Sequence, residues 1–162
     1  MFICPHAITK IPLLFKLLNR FDQFAAEWGA ALFGLWLRCY VGWQFMKAGI
    51  AKVSNWDGTL DLFRDEYHVP FLPPELAAVM GAAGELTLPL LLFVGLFSRP
   101  AALALLVVNI MAVVSYPQLF SLPCPAAVND HFFWGVMLLV VASFGPGKIA
   151  LDTWLARKFQ AD

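Results

Sequence analysis

A long apolar stretch that contains three basic residues constrains this chain more than any other feature. Arg38, Lys47 and Lys52 lie within residues 30–52, where almost every other side chain is apolar or small. Placing Arg or Lys at the centre of a membrane helix costs about 2.5–3.5 kcal/mol, so such residues usually face a helix interface, a watery cavity or the lipid headgroups. The stretch therefore predicts a membrane-spanning helix with a polar face turned toward its neighbours.

Helical geometry separates the basic residues into two groups. At roughly 100° per residue, one narrow sector of the helix holds Arg38, Gly42, Phe45, Gly49 and Lys52. Its two glycines would let a neighbouring helix approach closely. Lys47 lies roughly opposite and is expected to snorkel to the interface. Two interpretations of the polar face stay open: a packing surface stabilised by a salt bridge, and a ligand or redox site.

The composition indicates one integral membrane domain over residues 1–162. The chain is 60% hydrophobic and 14% charged, whereas soluble domains are nearer 45–50% apolar and about 25% charged. The net charge is zero, so no nucleic-acid partner is expected. The first apolar segment is interrupted by Lys10, Lys16 and Arg20 and has no cleavage motif after it, so it does not resemble a signal peptide.

The hydrophobic pattern predicts an all-α fold, a four-helix transmembrane bundle. The expected spans cover residues 30–52, 75–97, 100–116 and 128–144, lengths in or near the 17–25 residues that cross a bilayer. The three-residue link Ser98–Pro100 predicts a tight antiparallel hairpin between the second and third spans. An acidic loop is expected at residues 53–74.

Amphipathic helices are expected at the membrane surface at both ends of the chain. Apolar residues recur at helical spacing in residues 10–27 and 148–159. Basic residues fall mainly on one side of the predicted membrane: Lys10, Lys16, Arg20, Arg99, Lys148, Arg157 and Lys158. Because positive residues favour the cytoplasmic side, both termini are predicted to be cytoplasmic.

The three cysteines and three histidines are scattered along the chain. An odd number of widely spaced cysteines forms neither a disulfide framework nor a zinc motif, so no metal site is expected. Cys124 lies between two prolines on a predicted outward loop and has no CxxC mate. We expect it to be exposed and rigid.

Glu85 is the strongest candidate partner for Arg38. It lies in the middle of the second span beside Gly81 and Gly84. Counting residues from the span ends places Arg38 and Glu85 near the same depth, so we expect an ion pair between them. The pair would either set the register of two helices or line a polar pocket for a lipophilic substrate.

Four further polar or aromatic residues are candidates at the third and fourth spans. Asn109 lies mid-span, where it would bind a ligand carbonyl or hydrogen bond to another helix. Asp130 and His131 open the fourth span, beside Trp134. His131 would either pass protons or serve as an interfacial residue. Lys52, Asp130 and His131 are expected to form an outward-facing mouth above Arg38 and Glu85.

Several short motifs, in this order and spacing, resemble the DoxX family of small bacterial membrane proteins. They are residues 38–42 (RCYVG), 48–52 (AGIAK), 81–85 (GAAGE), then Gly95 and Arg99, and residues 144–152 (FGPGKIALD). The resemblance covers about residues 30–152 and implies a multi-pass protein of the bacterial inner (plasma) membrane. It also implies an association with oxidoreductases, since relatives are linked to quinone-dependent thiosulfate oxidation and to oxidative-stress complexes. The wider relatives include non-enzymatic chaperones and cargo receptors.

The first functional hypothesis is a quinone-linked oxidoreductase component, which would make the chain a membrane oxidoreductase subunit. Arg38, Glu85 and His131 would be catalytic. The expected ligand-binding residues are Lys52, Asn109, Asp130 and Trp134. No motif for haem, flavin, an iron–sulfur cluster or a metal is present, so electrons would pass through a bound quinone or a partner redox protein or complex.

The second hypothesis is a non-catalytic scaffold or assembly factor, in which Arg38 and Glu85 only hold helices together. A third is a carrier for a small lipophilic or metal-linked solute, for which four short spans would require an oligomer. Whether the chain is an enzyme stays open at the level of sequence.

Overall fold

The computed structural model describes residues 10–121 and 126–159, and within these ranges every regular element is a helix. The α-helices are α1 (Lys10–Phe24), α2 (Ala30–Ser54), α3 (Trp56–Asp65), α4 (Pro74–Val94), α5 (Ser98–Ser115), α6 (Ala126–Phe144) and α7 (Leu151–Phe159). A π-helical segment, Ala25–Gly29, joins α1 to α2, and a 3₁₀ turn, Pro117–Ser121, follows α5. Cys4, His6 and Cys124 lie outside the described residues.

The predicted all-α class is confirmed, and three helices are long and apolar enough to cross a membrane. They are α4, α5 and α6, whose bounds agree with the second, third and fourth predicted spans to within three residues. The fourth long helix, α2, has 25 residues and carries Arg38, Lys47 and Lys52. These basic residues are the difference in composition between α2 and the apolar helices α4, α5 and α6.

The four long helices pack side by side. Helix α2 lies along α4, α4 along α5, and α5 along α6, while α6 also contacts α2. Their shared core contains large apolar side chains, among them Leu37, Val41, Phe45, Leu92, Leu105 and Leu138. Large apolar residues also cover the outward faces of α4, α5 and α6, which suits helices surrounded by lipid.

The predicted polar face of α2 is turned toward its neighbours. Arg38, Gly42, Phe45 and Gly49 are all buried. A Cβ atom added at Gly49 would lie 3.0 Å from the Glu85 Cβ and 2.9 Å from a side-chain carbon of the next residue on α4. Any side chain at Gly49 would therefore push α4 away from α2.

The link between α4 and α5 is the three-residue segment 95–97 rather than the predicted Ser98–Pro100, which forms the first turn of α5. Gly95 has a φ of 73°, and its amide and the Leu96 amide each donate to the Leu91 carbonyl at 2.9 Å. This left-handed glycine ends α4 in the way that glycine commonly ends helices. Pro100 fits the first turn of α5 because amides there have no intrahelical acceptor.

The predicted acidic loop contains a helix, α3, that the hydrophobic pattern did not indicate. The Asn55 side chain accepts a hydrogen bond from the Gly58 amide at 3.3 Å, and the Thr59 hydroxyl donates to the Lys52 carbonyl at 2.9 Å. Phe63 on the buried side of α3 packs against the first turns of α4. These contacts fold the segment back onto α4, so it is not a free loop.

Helical backbone continues without a break from α1 through the π segment into α2. Phe24, Gly29 and Ala30 all have right-handed helical dihedral angles. At about 1.5 Å per residue the stretch over residues 10–54 measures roughly 68 Å, against about 30 Å for a hydrocarbon core. This continuous helical stretch is therefore longer than a bilayer is thick.

Candidate functional site

The charged pair inside the helix assembly joins Lys52 to Glu85. The Lys52 Nζ lies 2.7 Å from Oε1 and 2.6 Å from Oε2 of Glu85. Only 17% of the Lys52 side chain and 7% of the Glu85 side chain are exposed. Because both groups are withdrawn from solvent, each depends on the other for compensation of its charge.

The predicted ion pair between Arg38 and Glu85 is wrong. Glu85 packs against Gly49, and Gly49 is eleven residues beyond Arg38, about 16 Å along the helix. The depth estimate failed because it assumed that α2 and α4 begin and end at matching levels.

Arg38 instead binds backbone carbonyls at the C-terminal end of α4. Its Nη1 donates to the Leu92 carbonyl at 3.0 Å, and its Nη2 donates to the Ile149 carbonyl. The side chain is 1% exposed, and its Nε has no partner within the described part of the chain. A cation at this position is favoured by the negative end of the α4 helix dipole.

Asp152 completes this contact, which we call the α4–α7 clamp and define as Arg38, Gly95, Ile149 and Asp152. The Asp152 carboxylate accepts from the amides of Phe97 at 2.8 Å and Ser98 at 2.9 Å, at the start of α5. Its own amide donates to the Gly95 carbonyl at 2.9 Å. The clamp therefore holds the end of α4, the start of α5 and the approach to α7 together.

Asn109 and His131 form a separate contact between α5 and α6. The Asn109 Nδ2 donates to the His131 carbonyl at 2.9 Å, and the Asn109 Oδ1 lies 2.8 Å from the His131 Nδ1. The rings of His131 and Trp134 pack edge to face, with their centroids 4.9 Å apart. Asp130 is exposed. The expected mouth of Lys52, Asp130 and His131 is not assembled through hydrogen bonds, since Lys52 bonds to Glu85 and His131 to Asn109.

A cavity of about 310 Å³ opens beside the Lys52–Glu85 pair, between α2, α3, α4 and α5. Two hydroxyl residues, Tyr67 and Ser115, also line it. The remaining walls are apolar, and include Phe63, Leu72, Ala77, Met80, Val108 and Met111. An apolar cavity with a few converging polar groups is the usual form of a small-molecule site.

Sequence reasoning missed Tyr67 and Ser115. Tyr67 reaches the cavity because the segment after α3 folds back, where the His68 amide donates to the Ser115 carbonyl at 2.8 Å. The Tyr67 ring stacks on Phe63 with centroids 4.8 Å apart. Burial, and then the nearby charge of Glu85, raise the pKa of Tyr67, so its hydroxyl keeps its proton. No local signal in an acidic, proline-flanked segment predicts such a fold-back.

Within residues 10–121 and 126–159, no cluster of three or more His, Cys, Asp or Glu side chains is placed to hold a metal ion. The polar groups of the cavity are an ammonium, a carboxylate and two hydroxyls. They suit hydrogen bonding to an organic ligand.

The sequence profile of the DoxX family matches residues 33–118, more than half of the chain. This chain belongs to the DoxX family. An uncharacterized protein of Haemophilus influenzae is 26% identical over 136 residues, which cover 81% of this chain and 88% of that relative. No solved structure matches the chain. Every residue that lines the cavity falls within the matched DoxX region, whereas Ile149 and Asp152 of the α4–α7 clamp lie beyond it.

Proposed function

We propose that this DoxX protein is the quinone-binding component of a membrane oxidoreductase and that the cavity holds the quinone head group. The observation that carries the proposal is an apolar cavity with the Lys52–Glu85 pair in its wall, lined in part by α4 and α5, which are apolar enough to cross a membrane. Its volume of about 310 Å³ is at the lower end of the range for small-molecule sites. A ring fits such a volume, and its isoprenoid tail would extend into lipid.

The chemistry of the pair suits a quinone. Lys52 would donate to a quinone oxygen and stabilise the negative charge that develops there on reduction. Glu85 would exchange a proton with the reduced ring. Conversion of quinone to quinol takes up two electrons and two protons. The electrons would come from a partner redox protein that carries its own cofactor.

This proposal redistributes the expected roles. Lys52 and Glu85 keep a role in the site, which Tyr67 and Ser115 join. The hydrogen bonds of Arg38, Asn109 and His131 go to a helix end or to a neighbouring helix. We therefore assign these residues positioning roles. Trp134 packs between His131 and Phe45, with ring centroids 4.9 and 5.9 Å away.

We further propose that α2 is a fourth membrane span. Two of its three basic residues have partners in the protein, carbonyls for the Arg38 Nη atoms and Glu85 for Lys52. Lys47 is exposed on the opposite side and would snorkel to the headgroups. The internal partners remove the penalty that a hydropathy scale assigns to these charges.

We propose the bacterial inner membrane as the location, with both termini in the cytoplasm. The Lys148–Glu27 ion pair, at 2.7 Å, brings the segment before α7 beside the π segment that precedes α2. Arg99 at the start of α5 donates to the Ala142 carbonyl near the end of α6. Lys148 and Arg99 thus lie at the same end of the long helices, which the positive-inside rule places in the cytoplasm. Helix α7 would lie at that membrane surface, whereas α1 continues from α2 and would extend out of the membrane.

Identification of the quinone that copurifies tests the function. The full chain is purified in native lipid and its quinone content is measured by mass spectrometry. A Gly81→Leu variant would fill the cavity, because a Cβ at Gly81 meets its nearest side-chain atom only at 3.6 Å. Gly29→Leu is the matched control, since a Cβ there meets nothing within 4 Å. We expect stoichiometric quinone that Gly81→Leu loses and Gly29→Leu keeps.

A scaffold role is the second candidate, and exposed side chains on α1 favour it. Seven large apolar residues of α1 are each at least half exposed: Leu13, Leu14, Phe15, Leu17, Leu18, Phe21 and Phe24. Such a face binds either the membrane surface or a partner protein. A photo-cross-linker at Phe21 in native membranes separates the two: adducts to one partner protein, together with no bound quinone, would favour the scaffold.

A further inference from the structure

Two helix hydroxyls within the described residues, those of Ser98 and Ser115, are buried without a partner, and Ser115 is the one that lines the cavity. Ser54 and Thr87 each donate back to the carbonyl four residues earlier, at 2.7 and 2.8 Å. Ser115 is 1% exposed, and its Oγ has no partner within the described residues. A buried hydroxyl without a partner is unfavourable, and this one belongs to a residue that lines the cavity. A rotation of the Ser115 side chain toward the cavity would let a ligand oxygen supply the missing partner.

The formal charges that line the cavity cancel. Lys52 and Glu85 are the charged residues in its wall, and they are bonded to each other. Tyr67 and Ser115 add hydroxyls, and the other lining side chains are apolar or absent. A carboxylate or an ammonium ion entering this cavity would therefore lack a counter-charge and would lose its hydration. An uncharged ligand meets neither penalty.

We propose that the cavity selects an uncharged ligand whose oxygen atoms accept hydrogen bonds from Ser115 and Tyr67, and that the closed Lys52–Glu85 pair excludes charged amphiphiles. This inference rests on the proposed function and narrows the ligand to a class. Charge selectivity comes from the pair, and the two hydroxyls bind ligand oxygens in addition to the oxygen that Lys52 would contact.

Three probes with alkyl chains of nine or ten carbons test the charge selectivity. Decylubiquinone is uncharged, decanoate is an anion and decyltrimethylammonium is a cation. Binding to the full chain is measured in nanodiscs of zwitterionic lipid, and binding to the Gly81→Leu protein is subtracted as lipid partitioning. We expect decylubiquinone to bind at least about tenfold more tightly than either charged probe.

Removing one charge of the Lys52–Glu85 pair should increase the affinity for the probe whose charge is opposite to that of the remaining residue. In Glu85→Gln the Lys52 ammonium loses its counter-charge, so decanoate should gain about tenfold in affinity through a charge-assisted hydrogen bond. In Lys52→Gln the Glu85 carboxylate is unpaired, so decyltrimethylammonium should gain instead. Amide exchange of α5 and α6 checks that each variant keeps its fold. If folded variants show neither gain, the charge rule is overturned.

The hydroxyl contacts are tested with matched controls. Ser115→Ala and Tyr67→Phe should each weaken decylubiquinone binding by about fivefold, in line with one lost hydrogen bond. Thr87→Ala and Tyr40→Phe each remove a comparable hydroxyl, aliphatic and phenolic respectively, at an exposed position outside the cavity. These two variants should leave binding unchanged. Equal binding by Ser115→Ala, Tyr67→Phe and the wild type would overturn the recognition step.

The outcomes separate this inference from the proposed function. If the wild type binds decylubiquinone no better than Gly81→Leu does, the quinone function fails and the inference fails with it. If decylubiquinone binds in the cavity but a charged probe binds equally well, or the two hydroxyl variants have no effect, the quinone function stands and the inference is wrong.

Discussion

Lys52 reaches both carboxylate oxygens of Glu85 across the contact between α2 and α4, at 2.7 and 2.6 Å. The pair lies where Gly49 lets the two helices approach closely. The ion pair therefore has two roles: it holds α2 to α4, and it forms the polar wall of the cavity. Breaking it should change stability and ligand selectivity together.

Removal of one partner of this pair should be costly. Lys52→Met leaves the Glu85 carboxylate buried without compensation, and loss of one partner of a buried ion pair typically destabilises by about 3–5 kcal/mol. Since 17% of the Lys52 side chain is still exposed, we expect about 2–3 kcal/mol. Reversible unfolding in mixed micelles measures the free energy of unfolding.

The matched control for that variant is the double variant Lys52→Met/Glu85→Leu. Replacing both partners by apolar residues of similar size is often neutral or stabilising, so the double variant should recover most of the lost stability. A double variant as unstable as Lys52→Met would show that the ion pair is not the cause.

Arg38→Lys should loosen the α4–α7 clamp although the charge is kept. A lysine ammonium lacks the planar fork with which Arg38 bonds two carbonyls at once. We expect faster exchange of the Asp152 amide, which donates to Gly95, in hydrogen–deuterium exchange. Arg157→Lys, an exposed position on α7, is the control with the same substitution. Unchanged exchange at Asp152 would contradict a clamp built on the guanidinium fork.

Asn109→Ala should weaken the contact between α5 and α6. The variant removes both contacts to His131, and hydrogen bonds between membrane helices average about 0.6 kcal/mol with a maximum near 1.7. We expect a loss of about 1 kcal/mol in the free energy of unfolding. Asn129→Ala, at an exposed position at the start of α6, should have no effect. A loss at Asn129 equal to that at Asn109 would exclude the specific contact.

The Glu27–Lys148 ion pair should respond to pH in a defined direction. The hydrogen bond from Lys148, and then its positive charge, hold the pKa of Glu27 below its usual range. A lowered pKa in the folded state means that the link is fully present above the unfolded-state pKa and is lost as pH falls through the folded-state value. Carboxyl NMR titration should show a low midpoint for Glu27 that rises in Lys148→Gln and stays low in Lys158→Gln. An equal midpoint in the wild type and Lys148→Gln would contradict the link.

The parts of the fold that depend on periodicity could be predicted from the sequence. The buried face of α2 follows from a repeat of residues around one helix, and Arg38, Gly42 and Gly49 are buried as expected. Three spans followed from apolar runs. Helix α3 could not be recognised in this way, because it is short and its stability comes from the Asn55 cap and from Phe63 packing on α4.

The pairing of charges could not be predicted, because it depends on how far one helix slides along another. Glu85 faces Gly49 and Lys52, since the first turns of α4 extend past the end of α2 to pack on α3. The acceptors of Arg38 include Ile149, which is 111 residues away in the sequence. Tyr67 and Ser115 meet only because the segment after α3 returns to the end of α5. Each of these contacts is set by tertiary structure.

The π segment Ala25–Gly29 also controls the rotational phase between α1 and α2. Its hydrogen bonds span one residue more than those of an α-helix, so it offsets α1 about the helix axis by roughly one residue, about 100°. Deleting a single residue there would give α-helical hydrogen bonding and leave the apolar stripe of α1 in nearly the same direction, because five π-helical residues turn the chain about as far as four α-helical residues. The π segment thus accommodates an extra residue without turning α1, whereas α-helical hydrogen bonding with no deletion would turn its apolar stripe by about a quarter of a revolution.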